Sequence, residues 1–290
     1  MPVNTYTRRM RLLSLFFMLI FATGLHAARI QDARPLMGTV VEVTAEGPDE
    51  AALRTAAEAA FREMQRLSDV MSHYDPKSVV SEVNRAAGLR AVAIPPELAE
   101  VLAQARRVSE RTGGAFDVTV GGSPIDYRKL ELGNGRAFLA RKGMKLDPGG
   151  IAKLYILEAG RRVLEANGAP RALVNGGGDV VAHSGGAPWR VGVRDPRVPG
   201  RLLGVVALGL GAVASSGDYE RPHHVLDPRT GRPAQGVRGV TLVGPAEAVN
   251  GLGPAIMVLG AEAGRALILS EQIQGLVVDA HGELSGPRRG

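Results

Sequence analysis

The run Ala212-Val-Ala-Ser-Ser-Gly-Asp-Tyr-Glu-Arg-Pro-His-His-Val-Leu-Asp-Pro-Arg-Thr-Gly-Arg232 constrains this chain more than any other stretch. It begins with small apolar residues of strand character. It then passes into a loop holding Ser215, Ser216, Asp218, Tyr219, Glu220, Arg221, His223, His224, Asp227 and Arg229. A turn asks for Gly, Pro and one Asp or Ser, each for its own conformational reason; it does not ask for two His and two Arg. The loop therefore reads as functional rather than as a solvated corner. Within it, His224 and Asp227 are the candidates for proton transfer and ligand positioning, since imidazole titrates close to neutrality. The adjacent pair His223-His224 lacks a third ligand at zinc-site spacing, and no G-x-S-x-G turn surrounds Ser216 to make it a hydrolase nucleophile.

The surrounding pattern mixes strand and helix periods. Thr39 to Glu46 alternates Val41, Val43 and Ala45 with Glu42, Thr44 and Glu46, as a half-buried strand does. Pro48-Asp49 opens a helix whose apolar positions Leu53, Ala57, Ala60, Met64, Leu67 and Met71 recur at threes and fours, and Pro76 is expected to stop it. Ser78 to Asn84 predicts a short helix. A second amphipathic helix carries Leu98, Val101, Leu102, Ala105 and Val108, stopped by Gly113-Gly114. Residues 116–140 show little periodicity. Leu146 to Lys153 opens a helix reaching Asn167-Gly168, and Arg171 to Asn175 is a short buried strand. Trp189, Val191 and Val193 alternate, and Leu202–Leu208 and Val237–Val243 continue the strand pattern, which suggests antiparallel pairing around Gly-rich loops. The spacing predicts one helix through Ala246–Gly260 despite Gly251, Gly253 and Pro254, then a last helix and strand. No repeat, linker or charge block divides residues 29–290, so they are expected to form a single α+β domain with a largely antiparallel sheet.

Composition removes several function classes. Cysteine is absent, which excludes disulfides, thiolate metal sites and a Cys nucleophile. Aromatics make up only 4%, few for stacking on single-stranded nucleic acid. Residues 1–28 place Arg8, Arg9 and Arg11 before an apolar run from Leu12 to Ala22, the pattern of a secretory signal or N-terminal anchor. The run falls short of the roughly 20 apolar residues a membrane span needs. Those three Arg carry half of the formal net charge of +6, so residues 29–290 hold +3 and no nucleic-acid partner is expected. Export to the periplasm is the expected localisation, with membrane contact only through the N-terminal segment.

Two glycine clusters are candidate ligand loops. In Asp147-Pro-Gly-Gly-Ile-Ala-Lys153, glycines ahead of a helix let backbone N–H groups approach an anion, with Lys153 one turn in; a plain helix start is the equal alternative. In Asn175-Gly-Gly-Gly-Asp179 a strand ends where a ligand can lie on bare backbone, or where Asp179 closes a tight turn. Ser72-His-Tyr-Asp75 is either a capped turn or an aromatic and a carboxylate at a site.

Taken in order, Met37-Gly-Thr39, Ser72-His-Tyr74, Gly114-Ala-Phe-Asp117, Asp147 to Lys153, Leu173 to Asp179, Ala214 to Arg221 and His224 to Gly231 resemble the motifs of the ApbE family of FAD:protein FMN transferases. The resemblance spans residues 36 to about 260. It implies a periplasmic enzyme that splits FAD and moves FMN onto a Thr or Ser hydroxyl of an acceptor flavoprotein in a periplasmic or membrane redox system. It implies that Met37 and Tyr74 border the flavin, and that Asp117, Gly149, Gly150, Lys153, Gly177, Asp179, Ser216, Gly217 and Asp218 line the dinucleotide cleft, with His224 near the phosphoryl transfer. It further implies Mg²⁺, held by the Ala152 carbonyl and by Asp and Thr of an A-D-A-L-x-T motif. This chain reads Val249-Asn-Gly-Leu-Gly-Pro254 there, so Asn250 and Pro254 stand in the ligand positions. Three readings follow. One is an active transferase with Asn250 as a weak ligand and Asp147, Asp179 or the phosphates holding the metal. The others are a non-catalytic FAD-binding protein serving a periplasmic redox partner, and an FAD pyrophosphatase.

Overall fold

The computed structural model describes residues 27–217 and 225–286. Strands β1 (Ala28–Leu36) and β2 (Thr39–Gly47) form a hairpin, after which the chain leaves the sheet through α1 (Glu50–Met71), α2 (Val79–Arg85), β3 (Val92–Ala93) and α3 (Pro96–Arg111). A 3-10 turn at Tyr127–Lys129, β4 (Leu130–Gly133), β5 (Arg136–Leu139) and α4 (Gly149–Ala166) lead back to β6 (Arg171–Gly176) and β7 (Asp179–Ser184). There follow β8 (Trp189–Arg194), β9 (Leu202–Leu208), β10 (Gly211–Gly217), β11 (Leu226–Asp227), β12 (Arg232–Pro233) and β13 (Val237–Gly244). The chain closes with α5 (Ala246–Val249), α6 (Leu252–Leu259), α7 (Ala261–Ser270), β14 (Gln274–Asp279) and β15 (Leu284–Ser285). No helix among the described residues is long and apolar enough to cross a membrane.

Eight strands make one sheet in the order β1-β2-β6-β7-β10-β13-β14-β15. Every neighbouring pair is antiparallel, as the alternating patterns predict. The register puts Val41, Val43, Ala172, Val174, Val181, Leu242 and Val277 on one face, where they meet Met64 of α1, Leu157 of α4 and Ile256 of α6 in the main core. The other face carries Val180, Ala182 and Val213, covered by Trp189, Val191 and Leu208 of the β8–β9 hairpin. The result is a sheet with helices on one side and a hairpin on the other. Asp179 and Ser216 share the helix side with Val181 and Ala212, which turns them toward α4 and α6.

Three local expectations are corrected. Residues 116–140 are not featureless: β4 and β5 form a hairpin through Asn134 (φ 49°) and Gly135 (φ 66°), a two-residue turn with both residues left-handed. Helix α1 ends at Met71 without help from Pro76, because Ser72 Oγ accepts from the amides of Tyr74 (3.2 Å) and Asp75 (3.0 Å) and draws the chain out of the helix. The predicted Ala246–Gly260 helix is two helices, because Gly251 adopts φ 79° and breaks the ladder between α5 and α6.

The turn after β8 is an electrostatic clamp. Arg197, with its side chain and its amide, holds the Asp195 carboxyl well below the usual carboxylate range, and Arg201 adds to this at 2.7 Å. A carboxyl depressed in the folded state stabilises it above the ordinary Asp value of about 3.9 and loses that contribution as pH falls through its folded value. Amide exchange in residues 195–201 is therefore expected to accelerate selectively below about pH 3.9. Mass spectrometry of peptic fragments across an acid series measures it; uniform acceleration over the whole chain would count against the clamp.

Candidate functional site

Two hairpin tips stand side by side at one end of the sheet. The β6–β7 tip turns through Gly177 (φ 61°) and Gly178 (φ 95°), a tight turn that only glycine enters freely. The β1–β2 tip turns through Met37 (φ 54°) and Gly38 (φ 70°). Val41 pairs with Gly176, so the tips are neighbours, and a Cβ at Gly177 would lie 2.9 Å from Thr39 Oγ1.

Met37 is the exception among these four, a residue with a side chain in a left-handed position that costs about 1–2 kcal/mol. Its side chain is half-buried at the tip. Met37→Gly is expected to leave stability unchanged or raise it by up to ~1 kcal/mol while weakening FAD binding about tenfold. Thermal melts and flavin fluorescence titration read the two effects separately. Equal losses in both would mean that Met37 is merely structural.

Helix α4 begins at Gly149 beside these tips, with exposed Gly149 and Gly150 in its first turn. Such amides have no intrahelical partner and favour an anion; the Gly149 amide already donates to Asp147 Oδ1 at 2.9 Å, so Gly150 is the one of the two left to a ligand. Lys153 Nζ lies 2.7 Å from Asp179 Oδ2, and Asp179 Oδ1 accepts from the Ser215 amide at 2.9 Å. Asp179 thereby ties α4 to β10 across β7, doing more than close the turn. The Lys153 side chain stays one-third exposed toward the same rim.

The Ser72 turn supplies the next part. His73 Nδ1 is 3.2 Å from Asp147 Oδ1, which also accepts from the Gly149 amide at 2.9 Å. Tyr74 stacks on His73 with centroids 3.8 Å apart and is 82% exposed, an aromatic face left open. Asn84 pins the same approach from α2, exchanging hydrogen bonds of 3.0 and 2.6 Å with the backbone of Leu146. Opposite, α6 begins against α4 and β10. A Cβ at Gly253 would collide with Ser216 Oγ, and one at Gly150 would lie 3.0 Å from Phe116 and 3.5 Å from Pro254. Behind β10 a cavity of about 260 Å³, reached by Ser215, Ser216 and Gly178, opens beneath the β8–β9 hairpin. It is below the roughly 300–1,000 Å³ of ligand pockets and is too small for a whole dinucleotide.

The structure therefore joins Tyr74, Gly149, Gly150, Lys153, Asp179 and Ser216 in one connected rim, with Met37 and Gly177 on its adjacent tips. Gly217 ends β10 opposite Gly239. Asp218 and His224 lie outside the described residues. Two expectations are corrected. Asp117 does not offer its carboxylate to a ligand: Oδ1 accepts from Thr119 N and Oγ1 (both 2.7 Å) and Oδ2 from Tyr127 N (2.8 Å), inside its own loop. Burial pushes this carboxyl up, and those hydrogen bonds oppose the shift. Asp227 is no proton carrier, because Arg229 grips both oxygens at 2.9 Å and holds the carboxyl below the usual range.

The metal ligands expected at Ala152 and Asn250 fare differently from the anion cradle. Ala152 is buried within the first turn of α4. Asn250 is 4% exposed, and its Nδ2 donates to Gln104 Oε1 at 3.1 Å. Pro254 has no side-chain oxygen, and among the described residues no group of three or more His, Asp or Glu is placed to hold a metal. A Mg²⁺ site draws on one or two carboxylates and near-octahedral oxygens; these residues do not fit it. Asn84, Gln104 and Thr119 are supporting residues that local sequence pattern gives no reason to single out.

Comparison with known proteins bears on this geometry. The sequence profile of the ApbE family matches residues 37–123 and 122–277. A Treponema pallidum protein named FAD:protein FMN transferase is 29% identical over 298 residues, covering 83% of this chain and 82% of its own. A Klebsiella pneumoniae protein of the same name is 29% identical, covering 68% and 72%. The crystal structure of the ApbE protein of Thermotoga maritima superposes with a TM-score of 0.82 at 29% identity, covering 90% of this chain and 97% of its own. The apo flavinyl transferase ApbE of Pseudomonas stutzeri gives 0.78 at 26% identity, covering 90% and 95%. With the profile matched from one hairpin tip to β14, this chain belongs to the ApbE family.

Proposed function

We propose that the chain is an FAD:protein FMN transferase, like the relatives it matches over most of its length. The acceptor hydroxyl oxygen forms a bond to the FMN-side phosphorus, the pyrophosphate P–O bond breaks, AMP leaves, and the hydroxyl proton passes to a base. His224 is assigned that proton on the strength of the resemblance alone. The observation that carries the reading is the solvent-exposed Gly149-Gly150 start of α4, with the Gly150 amide left toward solvent, beside Lys153 and near an exposed Tyr74. Phosphoryl transfer needs positioning and charge neutralisation more than a protein nucleophile, and the rim supplies a place for a pyrophosphate next to a flat aromatic. On this reading residues 1–28 export the chain to the periplasm, the acceptor is a flavoprotein of a periplasmic or membrane redox system, and any Mg²⁺ is supplied with the FAD.

The Asn250 and Pro254 positions favour a second reading, an FAD-binding relative without transfer. Intact mass of an acceptor flavoprotein domain, after incubation with the mature chain, FAD and Mg²⁺, separates the two. A gain of one FMN phosphoester is expected. His224→Ala is expected to remove at least about 99% of the rate, the scale of a lost general base. Bound FAD with no mass gain selects the second reading, and AMP and free FMN without acceptor would indicate a pyrophosphatase.

A further inference from the structure

Asn250 lies where α5 has ended and α6 has not begun. Its Nδ2 donates to Gln104 Oε1 at 3.1 Å, and Gln104, on α3 and 5% exposed, donates from Nε2 to the Glu247 carbonyl at 2.9 Å. The direction of this relay is imposed by its far end. A backbone carbonyl only accepts, so Gln104 turns its NH₂ to Glu247 and its oxygen to position 250. Whatever stands at 250 must then donate. Asn does so. An ionised carboxylate presents only oxygens, and two acceptors would face each other in a buried site, leaving both unsatisfied.

We propose that Gln104 makes position 250 an obligate hydrogen-bond donor and closes the α5–α6 break to cations, so that the nucleotide-free protein holds no divalent ion there. Were transfer to use Mg²⁺, its ligands would have to come from outside this break, a clause that rests on the transferase reading; the closure itself does not. With Nδ2 held by Gln104, Asn250 can offer a cation only one neutral oxygen, and Pro254, its ring packed toward Gly150, offers no side-chain oxygen. A hard dication wants several oxygens with carboxylate charge among them. Among the described residues, this rim carries the Lys153 ammonium, paired with Asp179.

Mn²⁺ titration of the nucleotide-free mature chain, followed by electron paramagnetic resonance, tests the closure in the wild-type protein. No stoichiometric binding is expected up to about 1 mM Mn²⁺, the weak range for a site without carboxylates. One Mn²⁺ per chain with a dissociation constant of tens of micromolar would overturn it. Asn250→Asp is expected to add no Mn²⁺ site and to lower the melting midpoint on the order of 5 °C at pH 7. That deficit should shrink as pH falls, because a protonated carboxyl can donate to Gln104; a group whose folded pKa is raised stabilises below its unfolded value and loses that as pH rises. Asn250→Ala, which brings no anion, should lose less at pH 7. An Asn250→Asp variant as stable as wild type, or less damaged than Asn250→Ala, would overturn the donor requirement. Neither measurement uses FMN transfer, so each stands if the transferase reading fails.

Discussion

Asp179→Ala is expected to lower acceptor labelling at least about a hundredfold and to cost roughly 2–4 kcal/mol of stability, the range for removing one partner of a largely buried, charge-assisted pair. The carboxylate is 10% exposed and serves two elements at once: Oδ2 meets Lys153 at 2.7 Å and Oδ1 meets the Ser215 amide at 2.9 Å. Its removal strands an ammonium beside the first turn of α4 and frees the end of β10, where Ser216 packs against α6. The methyl group of Ala replaces neither contact. Asp179→Asn divides the effect: an amide oxygen can still accept from Ser215, while Lys153 loses its counter-charge. Roughly half the stability loss is expected there, with most of the labelling loss retained if, as proposed, the ammonium position serves the phosphoryl group. Urea unfolding and intact-mass labelling of the two variants measure both quantities. Full activity in Asp179→Asn would remove the Lys153 pair from the mechanism and leave Asp179 a purely structural tie.

This division explains which parts of the site could be read from the chain itself. Asp147 to Lys153 joins glycine, carboxylate and cation within a few residues, and Leu173 to Asp179 joins glycine and carboxylate, so local chemistry announces both. Periodicity indicates α1, α3, α4 and the strands β2, β6, β10, β13 and β14, since one face of each is apolar, whereas it does not single out β1, β7 and β15 of the same sheet. The Asn134-Gly135 hairpin carried a plain local signal, obscured by the weak alternation of its four-residue strands. Gln104 and Asn250 are different in kind. They are 146 positions apart, and nothing near either residue indicates the other. The same holds for Asn84 and the backbone of Leu146. Asp227 shows how a neighbour bears on a role: Arg229, two residues on, pairs with its carboxylate and lowers its pKa, which local pattern does not weigh. Local pattern identifies which groups can do chemistry, and tertiary partners decide which of them are left free to do it.

Gly177→Val is expected to be the most damaging single change at the tips, costing about 3 kcal/mol and lowering labelling by about a hundredfold. Two penalties combine. The residue sits at φ 61°, where a β-branched side chain is strongly disfavoured, and its first carbon would meet Thr39 Oγ1 at 2.9 Å and Cβ at 3.4 Å. Thr39 starts β2 immediately after Met37-Gly38, so relief of the clash pushes the neighbouring tip and carries Met37 with it. Gly178→Ala is the comparison that isolates this effect. Gly178 has φ 95° but nothing within 4 Å of a Cβ, so strain alone applies and about 1–2 kcal/mol is expected with little change in flavin affinity. A milder Gly177→Ala, paired with Thr39→Ala in a double-mutant cycle, should recover about 1 kcal/mol if the tips act on each other. Additive losses in that cycle would mean that the two turns, although adjacent, position their residues independently, and the rim would then be two ligand contacts rather than one preformed edge.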